Sequence, residues 1–172
     1  MKRITGVILA IALIFALAVT AMAAEIADCT VSADSVSATA GGTVTVPIRI
    51  SGNRGFTNFG IALDYDREQL ELLSIQTAEG ETPYLCGTTV AVNTQWTGTD
   101  EKTFGYVTAA LEEAATADGI LFTATFRVSG DFSGTAAVQP VVQYMRSNKR
   151  LLSVFDAIPV TTVSGTVSTV LV

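Results

Sequence analysis

Histidine is absent from the 172-residue sequence, and this absence limits the chemistry that the chain can perform. It excludes His-based general base catalysis, Ser-His-Asp triads and most zinc sites. The D-x-[DN]-x-[DN]-G spacing of a calcium loop is also missing. One catalytic arrangement is left, a carboxylate pair of Asp64 or Asp66 with Glu112 or Glu113, but solvated acids at turns and strand ends explain these residues more simply. We therefore expect a protein that is not an enzyme and that carries no metal or cofactor.

Basic residues are few, with 10 Lys and Arg against 16 Asp and Glu, which gives a net charge of −6. Two of the basic residues, Lys2 and Arg3, lie in an N-terminal leader, so the remaining chain would carry eight basic and sixteen acidic residues, a net charge of −8. An acidic surface repels phosphate backbones and anionic lipid. Nucleic acid is therefore not expected as a partner, nor is a membrane once the leader is removed.

Cysteine is limited to two residues, Cys29 and Cys86. In an exported protein such a pair can form one disulfide. Two partly buried thiols are the alternative, and the sequence leaves both open.

The N-terminus has the organisation of a secretory signal peptide. A cationic pair precedes an apolar run at 8–19, and Ala21-Met22-Ala23 fits the small-x-small cleavage rule. An uncleaved anchor would need a longer run of roughly 20 apolar residues. We expect residues 1–23 to be a cleaved signal peptide and residues 24–172 to form a single domain. The product is expected to be secreted, either extracellular and free or associated with the cell surface.

Helical periodicity is lacking in every window of 11 or more residues after the leader, apart from short turns at 66–70 and 111–117. Instead, apolar residues alternate with polar ones in segments separated by Gly, Asn, Asp and Ser. These segments are 43–50, 56–65, 70–76, 88–96, 103–111, 120–128, 135–144 and 160–171. Segment 111–117 alternatively completes the strand before it. The pattern predicts an all-β protein, a β-sandwich or jelly roll.

The segment GFTNFGIALDYDRE, residues 55–68, is the most informative for function. Because successive strand residues point to opposite faces, one face carries large apolar side chains for a core, namely Phe59, Ile61, Leu63 and Tyr65. The other face is small and polar, namely Asn58, Gly60, Ala62 and Asp64. A flat face of this kind favours a binding module. The alternative is that another part of the same chain packs over Gly60 and Ala62.

Aromatic residues are few, and most of them have core positions, as Phe122, Phe126 and Phe132 do. Trp96 and Tyr84 are the candidates for a platform that binds polysaccharide directly. A half-buried lid at one end of the sandwich is the alternative for Trp96.

The order of these segments resembles the cohesin domain of cellulosome scaffoldins. The resemblance rests on 44–50, GFTNFGIALDYD at 55–66, LELLSIQTAEG at 70–80, GILFTATFRVSG at 119–130 and a last segment with Gly165. It implies a nine-stranded β-sandwich with jelly-roll topology, similar to the fold of carbohydrate-binding modules. It also implies that a flat outer sheet binds dockerin, a small helical module with two calcium loops. Calcium would then belong to the dockerin partner and not to this chain.

The resemblance also implies a set of partner-binding residues: Asn58, Gly60, Ala62, Ala109, Leu111, Glu112, Arg150 and Leu151. Asn58 matches an asparagine that contacts dockerin in type I cohesins. Gly60 departs from the family pattern, because many cohesins carry an aspartate there. Leu111 and Leu151 are expected to supply apolar anchors near the rim of the face.

Three functions follow from these observations. The first is a secreted, non-catalytic cohesin module that binds dockerin-containing proteins and so assembles extracellular polysaccharide-degrading complexes. The second is a β-sandwich that binds polysaccharide itself. The third is a structural subunit of an extracellular assembly that pairs through an exposed strand edge or through the same flat face.

Overall fold

The computed structural model describes residues 29–77, 90–99, 102–147 and 156–170. The expected signal peptide lies outside these residues, as do Tyr84, Cys86, Arg150 and Leu151, so the predictions made for them stay predictions. The described residues include no helix long and apolar enough to cross a membrane.

Two β-sheets are stacked to form a sandwich. The first sheet contains, in spatial order, β11 (Val160–Val163), β1 (Cys29–Ala33), β3 (Thr43–Ser51), β8 (Gly119–Val128) and β5 (Leu70–Gln76). The second contains β2 (Val36–Ala38), β12 (Gly165–Thr169), β9 (Thr135–Ser147), β4 (Phe56–Tyr65), β7 (Thr103–Ala115) and β6 (Val90–Thr97), with β10 (Asp156–Ala157) paired to β9. Only β1 with β11 and β2 with β12 pair in parallel among these strands. The predicted all-β sandwich of jelly-roll type is therefore confirmed.

The core lies between the sheets and follows the predicted period of two. On β4 the four residues predicted to face inward, Phe59, Ile61, Leu63 and Tyr65, are at most 8% exposed. On β3 the alternate positions Val44, Val46, Ile48 and Ile50 are equally buried. Aromatic rings in the core pack edge to face: the centre of the Tyr65 ring lies 5.0 Å from that of Phe126 and 5.6 Å from that of Phe104. Phe122 and Phe132 are also buried, as predicted.

The number of strands differs from nine, because the described residues contain twelve. Three short strands of two to five residues, β1, β2 and β10, fall outside the eight segments that the sequence indicated. Segment 160–171 is divided into β11 and β12, which belong to different sheets. Residues 111–115 continue β7, so the strand interpretation of 111–117 is correct and the helical one is wrong. At 66–70 there is a hydrogen-bonded turn in which the Glu68 amide donates to Oδ1 of Asp66 at 2.9 Å.

Asn53 fastens the β3–β4 connection to the end of β7. Its Nδ2 donates to the carbonyl oxygens of Ala115 at 3.0 Å and Ala117 at 2.8 Å. Its Oδ1 accepts from the amide of Gly55 at 3.0 Å, where the backbone turns with φ 92°. One side chain therefore satisfies three backbone groups at the entrance to β4.

We expect Asn53→Ala to lower the free energy of unfolding by about 2 kcal/mol, since each hydrogen bond contributes about 0.5–1.5 kcal/mol and two carbonyls lose their donor. Urea unfolding followed by circular dichroism measures the change. Asn93→Ala is the matched control, because the exposed Asn93 side chain makes one comparable bond, to the Gln95 amide at 3.0 Å. Equal losses in the two variants would contradict the special role of Asn53.

Candidate functional site

The candidate site is the solvent-facing side of the second sheet, called here the outer face. Its central rows come from β7, β4 and β9 and are fixed by register: Ala110, Asn58 and Arg146 form one row, and Thr108, Gly60 and Tyr144 form the next. Ala110 and Arg146 are exposed to solvent, whereas Asn58 is half-buried. The face therefore contains the segment that the sequence identified, together with residues from both neighbouring strands.

Gly60 is covered by two tyrosines from the flanking strands. A Cβ atom at this position would overlap the hydroxyl of Tyr106 on β7 and approach the ring of Tyr144 on β9. Gly60 is buried and Ala62 is 0% exposed, although both lie on the outer face. The expectation of a nearly bare face is thus wrong at its centre, and the alternative, that this same chain covers Gly60, is correct. The covering groups are side chains of the same sheet, so the face presents half-buried tyrosines to solvent.

The tyrosines belong to a connected aromatic and hydroxyl cluster. Oη of Tyr144 and Oγ1 of Thr108 are 2.7 Å apart. The ring of Trp96 on β6 lies 5.2 Å from that of Tyr106 at a tilt of 35°. On the other side, the Arg146 guanidinium lies 5.3 Å from the centre of the Tyr144 ring. The cluster therefore extends across four neighbouring strands of the second sheet, in the order β6, β7, β4 and β9.

The pKa of Tyr106 is raised to about 12; burial is the largest cause, the adjacent Tyr144 hydroxyl adds to the rise, and the hydrogen bond with Thr108 opposes it. The folded protein consequently holds this proton to a higher pH than the unfolded chain, whose tyrosines ionise near pH 10. Stability contributed by the neutral hydroxyl is complete below pH 10 and is lost as the pH rises toward 12.

We expect the native protein to lose stability between pH 10 and 12 more steeply than Tyr106→Phe, which cannot ionise at this position. Urea midpoints measured across this pH range test the difference in slope. Absorbance at the tyrosinate band provides a second readout, since one tyrosine fewer should titrate late in the variant. Parallel slopes for the two proteins would contradict the buried position of the Tyr106 hydroxyl.

Asn58 has an unusual environment for a polar residue. Its Oδ1 is buried and has no hydrogen-bond partner. A buried acceptor without a donor costs about 1–3 kcal/mol. Asn58 is also the residue that the sequence places first among partner contacts, so this cost falls within the candidate site.

The remaining predicted contact residues are distributed differently from the expectation. Ala109 is 2% exposed and belongs to the core, and Leu111 packs against the core, because both occupy the inward positions of β7. The prediction for Ala109 as a contact on the outer face is therefore wrong, because its side chain is buried. Leu111 is only half-buried, and its role as an apolar anchor stays a prediction. Glu112 lies on β7, and Arg150 and Leu151 lie outside the described residues.

Sequence reasoning missed Tyr106, Thr108 and Tyr144, which meet over Gly60, and also Ala110 and Arg146, which flank Asn58. Their outward positions alternate with the buried Val107, Ala109 and Met145, which is a signal the sequence does carry. Their meeting over Gly60 depends on the registers Gly60 with Thr108 and Gly60 with Tyr144, which only the structure supplies.

Among the described residues, the remaining reactive groups form no metal site. Cys29 is a free, buried thiol whose pKa is raised by burial, and its Sγ lies 4.0 Å from Sδ of Met145. Within 29–77, 90–99, 102–147 and 156–170, no three His, Cys, Asp or Glu residues lie close enough to hold a metal ion.

Comparison with known proteins agrees with the sandwich. The family model described as "Cohesin domain" matches residues 29–168. No curated protein matches the chain in sequence. Similar solved structures include the seventh ScaB type I cohesin of Pseudobacteroides cellulosolvens, with 20% identity and a TM-score of 0.67 over 84% of this chain and 95% of that one.

Two further structures extend the comparison. A type I cohesin–dockerin complex from Clostridium thermocellum has 16% identity and a TM-score of 0.66 over 83% of this chain and 99% of that one. A non-cellulosomal cohesin from the archaeon Archaeoglobus fulgidus has 21% identity and a TM-score of 0.62 over 84% of this chain and 93% of that one. At these identities the likeness concerns the fold.

Proposed function

This chain belongs to the cohesin domain family, whose members are non-catalytic binding modules, and we propose that it binds dockerin-containing proteins through the outer face. The observation that carries the proposal is an open sheet face with a central cluster of half-buried tyrosines beside an exposed arginine. Tyr, Trp and Arg are the residues that most often dominate the energy of protein interfaces. We infer the class of partner from the family and the binding surface from the geometry of the outer face.

Asn58 supports the same face. A partner that provides a donor to the Asn58 amide oxygen, after a small rotation of the side chain, would remove an existing desolvation cost. Binding there would gain more than an ordinary exchange of water for protein, because the oxygen is not hydrogen-bonded beforehand. We therefore propose Asn58, Ala110, Tyr144 and Arg146 as contact residues, with Tyr106 and Thr108 holding Tyr144 in place.

The proposal extends to the setting of the protein. Residues 1–23 are removed as a signal peptide, residues 24–172 act as one module outside the cell, and dockerin-bearing enzymes dock on it to build polysaccharide-degrading complexes. The leader-like composition of residues 1–23 and the net charge of the chain, −6, support an exported acidic protein. Calcium resides on the dockerin. An archaeal cohesin described as non-cellulosomal shows that the fold also occurs outside such complexes.

Isothermal titration against a panel of dockerins, including every dockerin encoded by the source organism, tests the proposal. We expect one dockerin per chain, saturable binding, and loss of binding when a chelator removes calcium from the dockerin. Absence of binding across the whole panel would refute dockerin recognition and leave the fold intact. Export is measured separately, by determining the N-terminal residue of the protein recovered from culture medium.

A further inference from the structure

A concave site that is separate from the outer face lies at the lateral edge of the sandwich, where β5 of the first sheet approaches β6 of the second. It is a cleft of about 190 Å³. Its deep end is formed by Tyr65 and Phe104, which are 8% and 9% exposed, whereas the exposed Arg67, Glu71 and Gln95 line its open side. The cleft thus combines an apolar end with a polar rim, and most of its accessible lining is polar.

Trp96 connects this cleft with the outer face. It is the single tryptophan of the chain, it is half-buried, and it lines the cleft while contacting Tyr106. The Tyr106 ring lies against the indole at a tilt of 35°, and this contact limits how the indole can turn beside the cleft. A fixed aromatic face packs well against a flat apolar surface of a ligand, such as the C–H face of a sugar ring.

The rim supplies hydrogen-bonding groups of both kinds. The Arg67 guanidinium, which only donates, is held 4.5 Å from the centre of the Phe104 ring. The Glu71 carboxylate, which only accepts, is anchored through Oε2 by Nη1 of Arg127 at 3.0 Å. A hydroxyl both donates and accepts, so adjacent hydroxyls of one ligand can satisfy both residues. Around the rim, the positive charges of Arg67 and Arg127 are matched by the negative charges of Glu68 and Glu71, so the rim gives little preference for a charged ligand.

We propose that this cleft binds one neutral pyranose ring of a glycan, with the ring against Trp96 and its hydroxyls bonded to Arg67 and Glu71. The volume of the cleft limits the size of the ligand, because pockets for drug-sized ligands measure roughly 300–1,000 Å³ and this cleft is smaller. A chain end or a branch is therefore accommodated, and a long stretch of polysaccharide is not. The site goes beyond dockerin binding and does not depend on it.

Fluorescence of Trp96 tests the proposal directly, because no other tryptophan contributes to the signal. Cellotetraose, xylotetraose and mannotetraose are added separately to the purified protein. We expect at least one of them to change the emission saturably, with a dissociation constant in the range of about 0.1–10 mM for so small a contact. Arg67→Ala and Glu71→Ala retain the reporter and should each weaken binding about tenfold, a loss typical of one charged hydrogen bond.

Arg49→Ala is the matched control, since Arg49 is an exposed, ion-paired arginine on β3 whose Nε donates to Asp34 at 2.8 Å. The Arg49→Ala variant should bind the sugars with the same affinity as the native protein. The proposal is overturned if none of the three sugars changes the emission or the amide chemical shifts near the cleft. Equal weakening by Arg49→Ala would also overturn it, and tenfold tighter binding of oligogalacturonate would overturn the assignment to neutral sugars. No dockerin is present in these titrations, so their outcome is separate from that of the dockerin panel.

Discussion

Gly165→Ala is expected to destabilise the protein by about 3 kcal/mol or more, because overpacking against a rigid backbone costs at least as much as overpacking a core. A Cβ on Gly165 would overlap the carbonyl oxygen of Asp34 and lie 2.6 Å from that of Ala33 and 2.7 Å from the Asp34 carbonyl carbon. All three atoms are backbone, so no side chain can rotate away. The methyl group can enter only if the β1–β2 connection moves away from β12.

The consequence reaches beyond one contact, because β12 pairs with both β2 and β9. Moving the β1–β2 connection strains the parallel pairing of β2 with β12 and the bond from the Thr166 amide to Oγ of Ser35, 3.2 Å long. Urea unfolding measures the loss. A lower midpoint with an unchanged slope would show lost stability without a change in the surface exposed on unfolding.

Gly130→Ala is the matched control. Nothing lies within 4 Å of a Cβ built there, so this substitution should change stability by less than about 0.5 kcal/mol. If Gly165→Ala unfolds at the same urea concentration as Gly130→Ala, the close approach of the β1–β2 connection to β12 is refuted.

The sequence predicted most of this fold because the burial of one face produces a recognisable alternation in most of its strands. β4 and β5 have the predicted bounds, and their inward residues lie in one core, since a one-residue slip would expose all of them. The short strands were missed for the complementary reason. β2 has three residues and β10 has two, which is too few for an alternation to be recognised.

The candidate site was predictable only in part. The outward residues of β4 follow from its own alternation, and the structure places Asn58, Gly60 and Ala62 on the outer face as predicted. The sequence of β4 does not indicate which side chains cover Gly60. Tyr106 and Tyr144 belong to other strands and lie 46 and 84 positions after Gly60 in the chain. Cross-strand neighbours depend on register, and bulges shift the register of β4 with both β7 and β9.

Register also explains why Ala109 was misassigned and why Leu111 packs against the core. They are one position out of phase with Thr108 and Ala110, which occupy the outer face. An assignment uncertain by one residue selects the wrong face of a strand, because side chains alternate with a period of two. The correction moves the predicted contact on β7 from Ala109 to Ala110.

Ala110→Arg is accordingly expected to weaken dockerin binding by about a hundredfold, or about 2.7 kcal/mol, if the outer face is the docking surface. Ala110 is exposed and lies directly beside Asn58, in the row that ends at Arg146. An arginine there raises a bulky group over a flat surface and adds a second positive charge to the row. Both effects oppose the close approach of a partner helix, while the exposed position leaves folding unaffected. Isothermal titration with the dockerin found in the panel measures the loss.

Thr45→Arg is the matched control, because Thr45 is an exposed, outward residue of β3 on the opposite sheet and its hydroxyl lies 3.0 Å from that of Thr125. It adds the same side chain and charge without touching the outer face, so its affinity should stay within about twofold of native, a difference of about 0.4 kcal/mol. A general charge effect would weaken both variants alike, whereas a docking effect weakens Ala110→Arg alone. If dockerin binds both variants as it binds the native protein, the partner uses another surface. The tyrosine cluster over Gly60 would then have a structural role, because it covers a glycine that would otherwise leave the β4 backbone exposed to water.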